Sequence, residues 1–198
     1  MFKIPIYKAL ITEEYEGMAV ISLVDYPAVE SDWVAFNKHE EKVQFKVEDE
    51  EKKVILGVVM RANFPIFRRT ETGFEYYIEF DADTIRQMAR KYLKDGFQNN
   101  ISIMHNGELI KDGVYREEFF IKDDEMGISP KGFDDIENGS LFARFKIDND
   151  NIWNDIKEGK FKGFSLEGLF EVQETEEEQE YREIVDLINK IKNKLHTK

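Results

Sequence analysis

One histidine and one serine of this sequence have side chains that could act as a general base and as a nucleophile. His105 stands in NNISIMHNGEL, at the end of an apolar stretch typical of a β-strand. Ser165 stands in KGFSLEGLF, where the opposite parity holds Phe164 and Leu166. A serine attacks a carbonyl group only when a base lies within hydrogen-bond reach and donors face the developing oxyanion. Each residue also has a structural interpretation, as a hydrogen-bonding histidine or as a small polar residue on a half-exposed strand.

Strand alternation makes a further prediction about the histidine. His105 shares its parity with Ile101 and Ile103, so we expect the three side chains on one face of a strand. The dipeptide Asn106-Gly107 is typical of a tight turn and predicts that the chain reverses directly after the histidine.

An acidic pair offers a third group. Glu117 and Glu118 stand in VYREEFFI, and alternation turns at least one of them towards the apolar face. A partly buried carboxylate usually has a partner. The partner is either a cation such as Arg116 or Arg144, or a histidine that the carboxylate orients and stabilises in its protonated form.

The composition excludes several kinds of chemistry. The chain has no cysteine, three histidines and a formal net charge of −13, from 28 basic and 41 acidic residues. It therefore has no disulfide, thiolate zinc site or cysteine nucleophile, and its charge argues against general binding to nucleic acid or an anionic membrane. The motifs GxxxxGKS/T, GxGxxG, HExxH and GxSxG are missing. We expect no cofactor, no metal ion and, because the pattern of a signal peptide is also missing, a protein that is not secreted.

These side chains are positioned mostly by strands. Apolar and alternating runs predict strands at 2–11, 18–24, 54–60, 74–80, 101–105, 114–122, 141–147 and 163–172. Residues 37–53 read as a charged connector or a solvent-facing strand, 61–73 as an irregular excursion, and 124–140 as a flexible loop.

Two helices and a tail complete the prediction. One helix opens at Asp81, ends near Gly96 and has its apolar face at residues 85, 88, 89, 92 and 93. A short helix follows Asp148 and is closed by Gly159. The tail carries a Glu-rich segment and then an apolar stripe at helical spacing, which predicts an amphipathic helix over 177–195. We therefore divide the chain into a domain at 1–173 and an appendage at 174–198.

Several blocks in this order resemble one family. They are ISLVDYPAVESDWVAF, GVVMRANFPIFRR, YYIEFDADTIRQMARKYLKDGFQNNISIMH, GVYREEFFIKDD and IWNDIKEGKFKGFSLEGLF, which together cover about residues 18–172. The blocks are similar to the phage prohead (capsid maturation) proteases, in the XkdF-like branch. The resemblance implies an α+β fold with a mostly antiparallel β-barrel of about seven strands flanked by helices, as in the herpesvirus assemblin proteases.

The resemblance also implies an activity. It identifies His105 and Ser165 as the catalytic pair of a serine endopeptidase and Glu118 as the third member, with Glu117 or another acid as the alternative. The implied partners are the scaffold and major capsid proteins of the phage, inside proheads in the host cytoplasm, and self-cleavage makes the appendage a candidate for removal. The sequence is compatible with a homo-oligomer and does not determine the oligomeric state.

A second interpretation belongs to a different class of protein. The chain could be a catalytically inactive capsid-assembly or scaffolding module that keeps the protease fold and binds another chain through its tail. The joint presence of His105 and Ser165 favours the enzyme, because an inactive module would have no physical reason to keep both.

Overall fold

The chain folds into strands and helices that match the predicted α+β class. The computed structural model describes residues 4–14, 16–25, 45–70 and 73–175, together with 178, 179 and 183. Along this part of the chain the elements are β1 Ile6–Leu10, β2 Gly17–Val24, β3 Lys46–Asp49, β4 Val54–Met60, β5 Ile66–Arg69, β6 Glu75–Glu79, α1 Ala82–Lys94, a 3-10 turn Phe97–Asn99, β7 Ile101–Ile103, β8 Val114–Ile121, β9 Leu141–Ile147, α2 Asp150–Lys157, β10 Gly163–Leu169 and β11 Glu171–Glu174.

The described strands form three sheets. Their orders are β11-β1-β6-β5, β10-β2-β7 and β3-β4-β9-β8. The pairs β1–β6 and β2–β7 are parallel, and every other pair of these strands is antiparallel. None of the three sheets closes on itself, because each keeps two edge strands. The expected barrel of about seven strands is therefore not confirmed, although all three sheets contribute to one apolar core.

The β3-β4-β9-β8 sheet is covered on both faces. Every residue of β4 is buried, which explains why VILGVVM is apolar without alternation. One face packs on the main core, and the other packs against Phe133 and Ile136 of the excursion 124–140. An ion pair between Arg61 and Glu137, 2.6 Å long, also holds this excursion. The segment that we expected to be a flexible loop is therefore a packed cover.

Both helices lie where the sequence predicts them. The Asp81 side chain caps α1 by accepting a hydrogen bond from the Thr84 backbone N–H at 2.8 Å. Most of the predicted apolar face of α1 is buried, but Leu93 is 46% exposed. The N-cap of α2 is Asn149, the residue after Asp148. None of the helices in the described part of the chain is long and apolar enough to span a membrane.

Three strand predictions need correction. Residues 61–73 are not irregular throughout, because β5 lies within them and pairs with β6. The single strand expected at 163–172 is interrupted at Phe170, and β10 and β11 belong to different sheets. The strand expected at 101–105 ends at Ile103. The predicted tail helix lies, apart from 178, 179 and 183, outside the described residues.

Close packing between β4 and β10 gives a test of the core. A Cβ atom at Gly57 would stand 2.6 Å from Cβ of Phe45 and 2.9 Å from Cε2 of Phe164. Both distances are far below van der Waals contact, so Gly57→Ala is expected to lower the free energy of unfolding by about 1–3 kcal/mol in urea denaturation. Val47→Thr, on the exposed side of β3, is the control and should change it by less than about 0.5 kcal/mol. Equal stability of Gly57→Ala and the wild type would contradict this packing.

Candidate functional site

Three serines form one rung across the β10-β2-β7 sheet. Ser165 of β10 stands opposite Ser22 of β2, and Ser22 stands opposite Ser102 of β7. Residues in register on neighbouring strands point to the same face of a sheet. The alternate positions of these strands, Phe164, Leu166, Ile21, Leu23, Ile101 and Ile103, join the main core. The sheet therefore has one apolar face and one face that carries a hydroxyl group on each strand.

The carboxylate of Glu167 gathers the donors on this face. Its Oε1 accepts a hydrogen bond from Ser22 Oγ at 2.7 Å and another from Ser102 Oγ at 2.9 Å. His105 Nδ1 lies 3.1 Å from the same oxygen. The two serine hydroxyls, which are fully buried, also touch each other. Four residues from three strands and one turn thus meet at a single oxygen atom.

His105 reaches this cluster through a strained turn. The chain leaves β7 after Ile103, and both Met104 and His105 have a φ of +51°. The Asn106 N–H then donates to the Ile103 carbonyl at 3.0 Å, so the turn has the positive φ values of a type I′ turn. Residues other than glycine pay about 1–3 kcal/mol for such a conformation, and this strain is typical of functional sites.

This turn overturns the prediction from strand parity. Alternation placed His105 on the face of Ile101 and Ile103, and Asn106-Gly107 was expected to form the turn. Instead the reversal begins one residue after the end of β7, and it carries the imidazole to the opposite face, where Ser102 lies. His105 Nδ1 is 3.2 Å from Ser22 Oγ there.

The hydrogen atoms of the cluster determine the tautomer of His105. Each serine hydroxyl has one hydrogen, and both hydrogens are donated to Glu167. An ionised carboxylate has none to give. The hydrogen between His105 and the cluster therefore belongs to Nδ1, which donates to Glu167. In the neutral imidazole this leaves a lone pair on Nε2, the atom that can accept a proton from a nucleophile.

The same contacts keep Glu167 ionised. Burial alone would raise the pKa of its carboxyl group, but the hydrogen bonds from Ser22, His105 and Ser102 outweigh burial and lower the pKa below its usual value of 4.5. The carboxylate is therefore charged at neutral pH and acts as an acceptor towards His105.

Ser165 differs from the other two serines in what it faces. It is 5% exposed, against 0% for Ser22 and Ser102, and it lines a cavity of about 310 Å³. The cavity is lined by the consecutive residues 164–168, which shows that β10 presents its free edge to it. Ser165 makes no hydrogen bond to His105, although both belong to the described part of the chain. Of the three serines in the rung, it is the one that a substrate in this cavity could reach.

The structure places Glu118 elsewhere. Its carboxylate forms an ion pair with Arg144 on the β3-β4-β9-β8 sheet, with an oxygen to nitrogen distance of 2.5 Å. Glu117, the alternative, also acts electrostatically on Arg144. This is the cation pairing that the sequence left open for the two acids. The acid that contacts His105 in the structure is Glu167, whereas Glu118, which the resemblance implies as the third member, contacts Arg144.

The sequence prediction did not include Glu167, Ser22 or Ser102, although the sequence around each of them carries a signal. Each is a polar residue within a short run of strand-forming apolar residues, in FSLEGLF, VISLV and ISI. Glu167 also shares strand parity with Ser165. A polar residue in such a run usually has a partner, but which partner it has depends on how the strands pair.

Comparison with known families decides where the chain belongs. Residues 40–174, about two thirds of the sequence, match the family described as "Putative phage serine protease XkdF". The chain belongs to this family. The matched XkdF range includes His105, Ser165 and Glu167, whereas Ser22 lies before it. No curated protein and no solved structure matches the chain.

The site of this XkdF-family chain is built from a carboxylate, a histidine and hydroxyl groups. Within the described ranges, no three histidine, aspartate or glutamate side chains form a group that could hold a metal ion. What the arrangement offers chemically is a histidine of fixed tautomer on the sheet face that carries Ser165. A serine nucleophile requires a base of this kind within hydrogen-bond reach.

The lowered pKa of Glu167 predicts a pH-dependent stability. A carboxyl group whose pKa is lower in the folded state contributes stability above its unfolded pKa, and this contribution is lost as the pH falls through the folded pKa. The difference in unfolding free energy between the wild type and Glu167→Gln should therefore decrease as the pH is lowered from about 5 to 3. Urea denaturation across this range measures it, with the exposed Glu171→Gln as the control for loss of one charge. A difference that stays constant over the range would contradict the proposed contacts.

Proposed function

We propose that this chain is a serine endopeptidase that cleaves scaffold and capsid proteins while a phage prohead matures. The observation that carries the proposal is the contact of Glu167 with Nδ1 of His105 on the face where Ser165 borders a cavity. Membership of the XkdF family supports it, since the description of that family is "Putative phage serine protease XkdF".

In the proposed mechanism, Ser165 Oγ attacks the carbonyl carbon of the scissile peptide bond. Nε2 of His105 takes the proton of the hydroxyl group and later gives it to the leaving amine. Water then attacks the acyl-enzyme ester, with the same nitrogen as its base. Ser165 and His105 are thus the catalytic residues.

Glu167 is the positioning residue in this scheme. It holds Nδ1–H, fixes the tautomer with Nε2 free, and stabilises the imidazolium that forms when His105 takes the proton. Ser22 and Ser102 hold the carboxylate in turn. Glu167 and Ser165 are two residues apart on β10, so their Cα atoms are about 7 Å apart, enough for an imidazole ring between the two side chains.

The pair still has to close when a substrate binds. The structure has no hydrogen bond between Ser165 and His105, and hydrogen bonds between catalytic groups are often looser without substrate. His105 has the greater freedom from packing, because its side chain is 42% exposed whereas Ser165 is buried. The proposed mechanism requires a movement that brings Nε2 to the Ser165 hydroxyl while Nδ1 keeps its contact with Glu167.

We place the reaction inside assembling proheads in the host cytoplasm, where scaffold and major capsid proteins are the substrates. The acidic segment 174–180 and the residues after it are proposed as an extension that is removed by self-cleavage or that contacts the scaffold. The alternative is a capsid-assembly module without activity, which the unclosed Ser165–His105 pair would also fit.

Intact-mass spectrometry of the phage's own scaffold protein tests the activity. The wild type is expected to produce defined fragments, whereas Ser165→Ala and His105→Ala produce none, because the nucleophile and the base are each indispensable. Circular dichroism confirms that every variant is folded. An intact scaffold after incubation with the folded wild type would favour the assembly module.

Two matched variants in the same assay identify the positioning carboxylate. Glu167→Gln keeps the size of the side chain but removes the charge that holds Nδ1–H, so the cleavage rate should fall by roughly 10³- to 10⁴-fold. Glu118→Gln removes a charge next to Arg144 and should leave the rate within about twofold of the wild type. A reversed order of the two rates would restore Glu118 to the site.

A further inference from the structure

The cavity beside Ser165 has apolar walls and one cationic side chain. Its walls include Met60, Ile66, Phe80 and Phe170, and its two charged lining residues are Glu167 and Arg68. Glu167 already accepts three hydrogen bonds, but Arg68 has no comparable set of partners.

Arg68 lies on β5 with the same parity as the buried Ile66, and so it points inwards. Its NH1 donates to the Phe67 carbonyl at 2.9 Å, and no carboxylate of the described residues forms an ion pair with it. Burial lowers the pKa of the guanidinium, and its cross-strand partner is Tyr76 rather than an acidic residue.

Two partly buried arginines of the described residues, Arg68 and Arg116, have no carboxylate partner, and they differ in their surroundings. The Arg116 guanidinium lies over the rings of Tyr92 and Phe119, whereas Arg68 lines the cavity. Acidic residues outnumber basic residues in the chain by 41 to 28, and the next residue, Arg69, is paired with Glu75 at the surface. Removing a charge from water is costly unless an opposite charge compensates for it. A guanidinium left without one, in a cavity that also holds the proposed nucleophile, is suited to receive an anion from the substrate.

We propose that this cavity binds an acidic side chain of the substrate, and that Arg68 is the residue that selects it. This inference rests on the proposed function, because it assigns a preference to the same site. The apolar walls would contact the aliphatic stem of the acidic side chain, and the guanidinium would bind its carboxylate with two parallel hydrogen bonds. Repulsion from Glu167 is limited, because three donors already surround one of its oxygens.

Binding to the full-length Ser165→Ala variant tests the preference without cleavage. The probes are four pools of fluorescein-labelled octapeptides, acetylated and amidated at their ends, with Glu, Gln, Lys or Leu fixed at the centre and only uncharged residues elsewhere. Fluorescence anisotropy measures the dissociation constants. The Glu pool should bind at least about tenfold more tightly than the Gln pool, as a hydrogen-bonded charge pair requires.

Two substitutions added to Ser165→Ala identify the selecting residue. Arg68→Met keeps the length of the side chain and should reduce the Glu preference to less than about twofold. Arg69→Met, on the adjacent exposed residue, should leave it unchanged. Arg68→Glu should reverse the preference in favour of the Lys pool, which shows that the cavity is intact and that its charge decides the outcome.

The binding and cleavage results distinguish a side-chain carboxylate from a C-terminal one, and they test the substrate preference and the protease function separately. If a pool with free carboxyl termini and no acidic side chain binds as tightly as the Glu pool, the site takes a chain end, and the preference for an acidic side chain is overturned. Equal binding of the Glu and Gln pools, or a preference that survives Arg68→Met, also overturns it. Cleavage of the scaffold without an Arg68-dependent preference would leave the proposed protease function standing. If the chain binds the Glu pool selectively but cleaves no scaffold, the preference for an acidic side chain stands and the proposed protease function falls.

Discussion

The half-buried carboxylate of Glu167 is the constraint on which the arrangement of the site depends. A charge removed from water must be compensated by donors, and Glu167 takes them from β2, from β7 and from the turn after β7. These donors meet only if the three strands keep their register. A shift of one residue would turn Ser22 towards the apolar core and a hydrophobic residue towards the carboxylate. The contacts that fix the charge of Glu167 therefore also fix the pairing of the sheet.

The two edges of β10 have different neighbours, the β2 strand on one side and the cavity on the other. One edge pairs with β2 and holds Ser165 in the rung, whereas the other faces the cavity between β10, β4 and β5. The register shift that follows Glu167 requires Gly168, because a Cβ atom there would collide with the Gly17 carbonyl. Two of the four non-glycine residues that have a positive φ in the described part of the chain, Met104 and His105, lie in the same region. The paired strands and their contacts with Glu167 thus hold His105 in a turn whose φ values are unfavourable.

The sequence predicted those features that depend on the spacing of residues along one strand or helix. The alternation of β9 and the capped, amphipathic α1 follow from residue spacing alone, whereas the placement of Ser165 and His105 on one sheet depends on how the strands pair. The sequence prediction missed the short β5, because Pro65 and Gly73 indicate an irregular segment. The strand is stabilised by its pairing with β6, which the local sequence does not show. His105 was placed on the wrong face because two non-glycine residues adopt positive φ. The choice between Glu118 and Glu167 depends on strand pairing that a single sequence does not contain.

The most direct test of the central claim, that Glu167 and His105 activate Ser165, is covalent labelling without any substrate. Diisopropyl fluorophosphate phosphorylates an activated serine with loss of fluoride, and peptide mass mapping locates the adduct. The structure predicts one adduct on Ser165 in the wild type, and its loss in the folded His105→Ala variant. A folded wild type without an adduct on Ser165, or with the adduct on Ser22, would contradict the assignment.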